Sequence, residues 1–388
     1  MSKKNRKWLV FTIMCLAYMP GSYAQYQLSV FAPELIQSFG LTTSQFSSLF
    51  TAPMIVAIFL SFVGGMISDK VGSKKVINIS FVIAGIGMIG RVFANSYMPF
   101  FLCMALTGFS NMFVNINASK ITASWFEQEK LGILMGIFAF CGQLPGAFAT
   151  ATTAVLFDSR TSAFIVSAIF CISVFVLWLL FVKDKPEDTM EEREKIDQEN
   201  QPSIGDSLKV VLSNKGIWLV SICIMMVLGS TVTLSTFMPV ALQTMYGIDL
   251  KVCGTIASML TLGNCIGSIT GPIVFSKIKN VKVFVSGAAV LSFAGIIMCW
   301  RFPSIFVLHI LVLYTGIMLG ASMPIFLSAP VLLEGLGTKY AGSAAGVIST
   351  LQLLGAVLIP TYILTPIAGE NYSLLFMLAS ICMVIVFL

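Results

Sequence analysis

Gly65-Met66-Ile67-Ser68-Asp69-Lys70-Val71-Gly72-Ser73-Lys74-Lys75 is a short charged turn set directly between two long apolar runs. The preceding run spaces Ala57, Ser61 and Gly65 four residues apart, and Asp69 continues the same helical stripe. Small residues on one stripe let a neighbouring helix approach closely. The stretch therefore predicts a packed helix followed by a tight charged connection.

The rest of the chain has the same character. Of its 388 residues, 57% are hydrophobic and 10% charged, and the mean hydropathy is +0.93. That leaves too little polar surface for a soluble domain, so lipid must serve as solvent. A span needs about 20 mainly apolar residues. Twelve such runs are legible, near 8–31, 43–67, 76–95, 97–123, 130–157 and 161–182, then 216–245, 252–275, 283–302, 304–333, 340–364 and 371–388. The expected fold is an all-α integral membrane protein with twelve transmembrane helices in two six-helix pseudo-repeat bundles, 1–182 and 216–388. They are joined by the hydrophilic linker 183–215, which holds nine acidic and six basic residues.

With the amino terminus in the cytoplasm, 19 of the 23 Lys and Arg residues fall on the inner side, leaving Arg91, Arg160, Lys251 and Arg301 outside. This asymmetry predicts that both termini and the linker are cytoplasmic. The basic start resembles a signal peptide, but the length of the first run and the lack of a small-residue cleavage site predict a retained span. The chain stops within an apolar run at Leu388, so the last span is short or a tail continues it. Short loops and the absence of a sorting extension predict a bacterial cytoplasmic membrane.

The nine cysteines lie in or beside apolar runs without a Cys-x-x-Cys pair, and read as packing residues. His309, the only histidine, reads as interfacial packing. No paired carboxylates, nucleophile triad, phosphate-cradling loop or metal-ligand cluster is legible, so enzyme chemistry and a cofactor are not expected. The informative groups are neutral polar residues at depth. Span 1 has Tyr23, Gln25, Tyr26 and Gln27 after Pro20-Gly21; span 4 has Asn111 and Asn115; span 5 has Gln143; span 7 has Thr231 and Ser235. Asn264, Tyr314, Thr315 and Gln352 follow in spans 8, 10 and 11. Spans 3, 6, 9 and 12 lack a mid-depth amide or charge and are expected to face lipid. An amide in hydrocarbon costs several kcal/mol without a partner or water, so the other spans either enclose a polar cavity or bond one another.

Gly65-x-x-x-Asp69-Lys70-x-Gly72-Ser73-Lys74 resembles the loop 2-3 signature of the major facilitator superfamily, and the six-plus-six layout extends the resemblance over the whole chain. The resemblance implies that Gly65, Asp69, Lys70, Gly72 and Lys74 form a conformational latch. In it Asp69 meets the start of span 11, where Gly342-x-x-x-Gly346 offers a close-packing surface. Lys120-x-x-x-x-Trp125-Phe126, followed by Glu129, Lys130 and Gly132, resembles organic-anion members, with Glu127 where they carry proline. Gly142-Gln143-Leu144-Pro145-Gly146 resembles the span 5 motif of antiporters, and Glu334 to Gly346 resembles the nitrate/nitrite, cyanate and oxalate/formate branches. The deep basic residues of the nitrate and oxalate/formate branches are absent.

The expected function is secondary active transport of a small organic solute, a monocarboxylate-like anion, by alternating access. The residues expected to contact it are Tyr26, Asn111, Asn115, Gln143, Tyr314 and Gln352. Arg91 and Lys120 either attract the anion at the cavity mouths or snorkel to the interface. The alternatives are an exporter of hydrophobic or neutral compounds and a transporter-fold membrane receptor. The expected partners are the solute, a proton or counter-transported anion, and the bilayer, with no nucleic acid, and the chain is expected to be a monomer.

Overall fold

A computed structural model describes residues 3–126, 128–182, 204–332 and 337–387. Within these, Gly65, Asp69 and Lys70, and Gly337 to Gly342, have helical backbone, while their surroundings, Glu127 and residues 333–336 lie outside the described residues. Every regular element among the described residues is helical. Span 1 is built from Lys3–Ala17 and Met19–Val30, followed by the short helix Ala32–Phe39. Spans 2 to 6 are Thr43–Val71, Ser73–Phe93, Tyr97–Trp125, Gln128–Leu156 and Arg160–Phe181. Spans 7 to 10 are Lys215–Tyr246, Leu250–Ile278, Val281–Met298 and Ile305–Leu332. Span 11 runs through Gly337–Leu358, Ile359–Leu364 and Thr365–Ala368, and span 12 is Tyr372–Phe387. Nine of the described helices are long and apolar enough to cross a membrane, and Tyr372–Phe387 is a shorter apolar helix.

Local chemistry explains the boundaries. Span 2 starts on a capping box in which Thr42 accepts from the Gln45 backbone N–H while the Gln45 side chain accepts from Thr42. It ends at Gly72, whose φ of +95° suits glycine and lets the chain reverse into span 3. Asp249 caps span 8 and Asn280 caps span 9. The end of the linker is the helix Ile204–Ser213, which packs against span 11. The side of the membrane flanking the linker is called the linker side below, and the opposite side the far side.

The packing pattern repeats. In the first six spans the pairs 3–4, 2–4, 1–5 and 3–6 are in contact, and in the last six the pairs 9–10, 8–10, 7–11 and 9–12 correspond to them. Spans 8 and 10 form the most intimate pair through a ladder of glycines. Gly263, Gly267 and Gly271 face the backbones of Leu313, Ile317 and Ala321, while Gly316 and Gly320 face those of Leu260 and Asn264. With no side chain at these positions the backbones themselves touch. Spans 3, 6, 9 and 12 turn rows of large apolar residues outward, including Ile79, Ile86, Ile169 and Leu180. The nine cysteines are free thiols, and His309 joins span 10 to span 8 through Thr255 at 3.3 Å.

Candidate functional site

Span 1 positions the site, because its helix is interrupted. Lys3–Ala17 stops before Tyr18, and the next segment begins with Pro20 in its first turn. Asn111 of span 4 closes the gap. With its amide oriented so that nitrogen and oxygen both find partners, the nitrogen donates to the Tyr18 carbonyl at 3.1 Å. The oxygen accepts from the Ser22 backbone N–H at 3.1 Å and from the Ser22 hydroxyl at 3.0 Å. In an unbroken helix Ser22 N–H would donate to the Tyr18 carbonyl itself. Asn111 is thus a side chain inserted into the backbone ladder, one of the recognised causes of a bent helix. Gly21 is required there, since a methyl group would sit 2.5 Å from the Asn111 amide group.

The Gly142 to Gly146 motif has an equally local role. A methyl on Gly142 would overlap the Tyr18 ring, and one on Gly146 would come within 3.0 Å of the Tyr26 ring. Two glycines one turn apart on span 5 therefore seat two tyrosines of span 1. Tyr26 also meets Phe50 of span 2 edge-on at 5.5 Å and lies beside Ser235 of span 7. Gln25 donates to the Phe50 carbonyl at 2.8 Å.

Arg91 is not at a cavity mouth, and it does not snorkel: it is 1% exposed. It reaches from span 3 into the interior of the first six spans. Its guanidinium donates to the Ala24 carbonyl at 2.9 Å and to Gln27 Oε1 at 3.0 Å, contacts the Ser167 hydroxyl and lies over the Phe164 ring at 4.4 Å. These partners are all neutral, and Nε has no hydrogen-bond partner among the described residues. Gln27 completes the post by donating to the Ala163 carbonyl of span 6 at 3.2 Å. A buried cation is tolerated when hydrogen bonds and an aromatic face replace its water. No partner of Arg91 is visible in the sequence, because its ligands come from spans 1 and 6, more than sixty residues away in the chain.

The other expected contacts separate. Asn115, Lys120 and Gln143 are exposed, and Tyr26 and Gln352 are half-buried. Tyr314 turns away from this set, since its ring lies within 3.2 Å of the position a methyl on Gly295 of span 9 would occupy. Of the latch residues, Gly72 supplies the turn and Lys74 lies in the first turn of span 3. Gly346, expected to form a close-packing surface, has nothing among the described residues within 4 Å of where a methyl group would stand.

The first and last six spans meet firmly on the far side. Ser47 Oγ lies 2.9 Å from Thr361 Oγ1, and Thr51 Oγ1 lies 3.3 Å from the same atom. Ser44 Oγ donates to the Thr361 carbonyl at 2.5 Å and lies 2.9 Å from Thr365 Oγ1. Phe46 packs edge-on against Phe237 at 5.9 Å, and Gly254 of span 8 sits on the Thr150 carbonyl of span 5. The four hydroxyl contacts between the halves, from Ser44, Ser47 and Thr51 to Thr361 and Thr365, form a far-side seam. Sequence reading missed the seam, although Ser44, Ser47, Ser48 and Thr51 fall on one helical face of span 2 and spell a hydroxyl stripe.

Comparison with known proteins matches this architecture. The chain is 24% identical to a probable sulfoacetate transporter of Cupriavidus necator over 88% of its length and 83% of the relative's. It is 22% identical to a galacturonate transporter of Dickeya chrysanthemi over 76% and 90%, and 24% identical to a membrane sensor protein of Salmonella typhimurium over 91% and 83%. Among solved structures, a bacterial homolog of the human lysosomal transporter spinster, in an inward-facing and unoccupied conformation, superposes with a TM-score of 0.82. That match is at 13% identity and covers 100% of this chain and 95% of the other. The family profile described as Major Facilitator Superfamily spans residues 10–360, so this chain, a multi-pass membrane protein and not an enzyme, belongs to the major facilitator superfamily.

Proposed function

We propose that this protein is a secondary active transporter that moves a small organic anion by alternating access, in a bacterial cytoplasmic membrane with both termini and the linker in the cytoplasm. The observation that carries the reading is the asymmetry between the two sides. The halves are zipped together on the far side from Ser44 to Thr51, while Asn115, Gln143 and Gly346 are exposed on the way to the linker side. Such a molecule is closed outward and open inward, with residues 1–182 and 216–388 as the two moving units around the linker 183–215. Tyr26, Asn115, Gln143 and Gln352 contact the solute, and Lys120 meets it nearer the linker side. Asn111, Tyr314 and Arg91 act by holding helices. The sulfoacetate and galacturonate transporters among the relatives support an anionic cargo. Asp69 engages span 11 in the opposite, outward-open state, which fits the empty surroundings of Gly346 here.

The sensor among the relatives supports a second reading, ligand binding without net transport. Tracer uptake in proteoliposomes, paired with thermal-shift binding, separates the two. The panel is sulfoacetate, hexuronates and monocarboxylates, with uncharged sugars alongside. Accumulation of an anion, competed by other anions and not by the sugars, is expected. Stabilisation by an anion without accumulation establishes the sensor, and responses confined to uncharged compounds overturn the anion assignment.

A further inference from the structure

Span 11 carries two prolines six residues apart, Pro360 and Pro366, and the helix changes register between them. Ile359–Leu364 is a π-helix, and Thr365 N–H donates to the Pro360 carbonyl five residues back. The next bond of that register would run from residue 366 to the Thr361 carbonyl, but proline has no N–H. Thr361 is 2% exposed, so its carbonyl requires a donor from elsewhere. Two hydroxyls supply it: Thr365 Oγ1 on the same helix at 3.0 Å and Ser44 Oγ of span 2 at 2.5 Å.

These donors differ in what happens when the molecule changes state. Thr365 travels with span 11, whereas Ser44 belongs to the other half of the chain and reaches the carbonyl only while the far side is closed. Ser47 and Thr51 add contacts to the Thr361 hydroxyl along the same stripe. We infer that Thr361 is the keystone of the far-side gate: Pro366 withholds a backbone donor from its carbonyl, and Ser44 returns one only in the closed state. Pro366 and Ser44 are therefore positioning residues for the transport cycle. The proposal rests on the alternating-access reading but not on the identity of the cargo.

The test is a distance measurement on the full chain in nanodiscs. Spin labels carried by a non-canonical amino acid at Gln37 and Glu370, both exposed on the far side in opposite halves, report the separation of the halves. Ser44→Ala removes the donor, and Pro366→Ala restores a backbone N–H that serves the carbonyl in either state. Each is expected to raise the far-side-open population about threefold to tenfold, the worth of one net hydrogen bond. Ser44→Asp sets a carboxylate against the carbonyl and is expected to make the open form dominant. Ser48→Ala is the control, because Ser48 bonds Tyr97 and Gln45 within its own half, and it is expected to leave the distances unchanged. An unchanged distribution in Ser44→Asp, or an equal shift in Ser48→Ala, overturns the proposal. So does a Pro366→Ala variant that closes further. These distances need no substrate, so their failure is distinct from failure to find a transported anion.

Discussion

Asn111 and Asn115 lie one turn apart on the same helix and look alike in the sequence, yet they do different work. Asn111 replaces a missing backbone bond between Tyr18 and Ser22, whereas Asn115 is exposed. Asn111→Ala leaves the Tyr18 carbonyl and the Ser22 N–H without these partners, and is expected to lower stability by about 1–3 kcal/mol. Asn115→Ala is expected to leave stability within about 0.5 kcal/mol of the parent and to weaken anion binding instead. Denaturation curves and ligand titrations on both variants check this division. The sequence exposed both amides as polar groups at depth, which is all that hydropathy can reveal. It could not show which one had a partner, because the decisive acceptor and donor arise from a break in span 1, almost ninety residues earlier in the chain.

The helical elements were far more legible than their contacts. Apolar run lengths located all twelve spans, since a bilayer fixes the length of a span irrespective of its partners. The caps at Thr42, Asp249 and Asn280 and the positive φ of Gly72 and Gly247 account for where the helices begin and end. The π segment of span 11 was not legible, because two prolines near a helix end look the same whether they stop the helix or reset its register. Gly263, Gly267 and Gly271 did stand at four-residue spacing in the sequence, but spacing alone does not name the partner helix. Gly267→Leu places a branched side chain against the Ile317 carbonyl and the Ala321 backbone. It is expected to cost more than 4 kcal/mol through overpacking and loss of the span 8 to span 10 seam, and to appear as a collapse in folded yield on size-exclusion chromatography. Gly346, with open surroundings, provides the contrast within the same molecule.

At the scale of the whole molecule, the Gly65 to Lys75 turn carries the resemblance to the family that the profile over residues 10–360 shows, and the far-side seam supports the proposed state. The two are complementary, since the latch proposed for the turn would lie on the opposite side of the membrane from the seam. Arg91 gives this arrangement an electrical consequence. In a carrier open inward, water in the vestibule brings the cytoplasmic potential up to the seam, so most of the voltage drop is confined to the closed outer layer. An elementary charge crossing the full potential is worth about 2.3 kcal/mol per 100 mV. In the proposed cycle, passage of the closed layer to the inner side would relocate the field past both an anionic cargo and Arg91, whose displacement currents have opposite signs. A monoanion is therefore expected to produce a smaller transient current than a dianion on a solid-supported membrane. Arg91→Gln, where it folds, is expected to enlarge the monoanion's current. On the proposed cycle, one buried arginine bonded to neutral groups serves as an internal counter-charge that lessens how strongly the membrane voltage opposes or assists the carrier's turn.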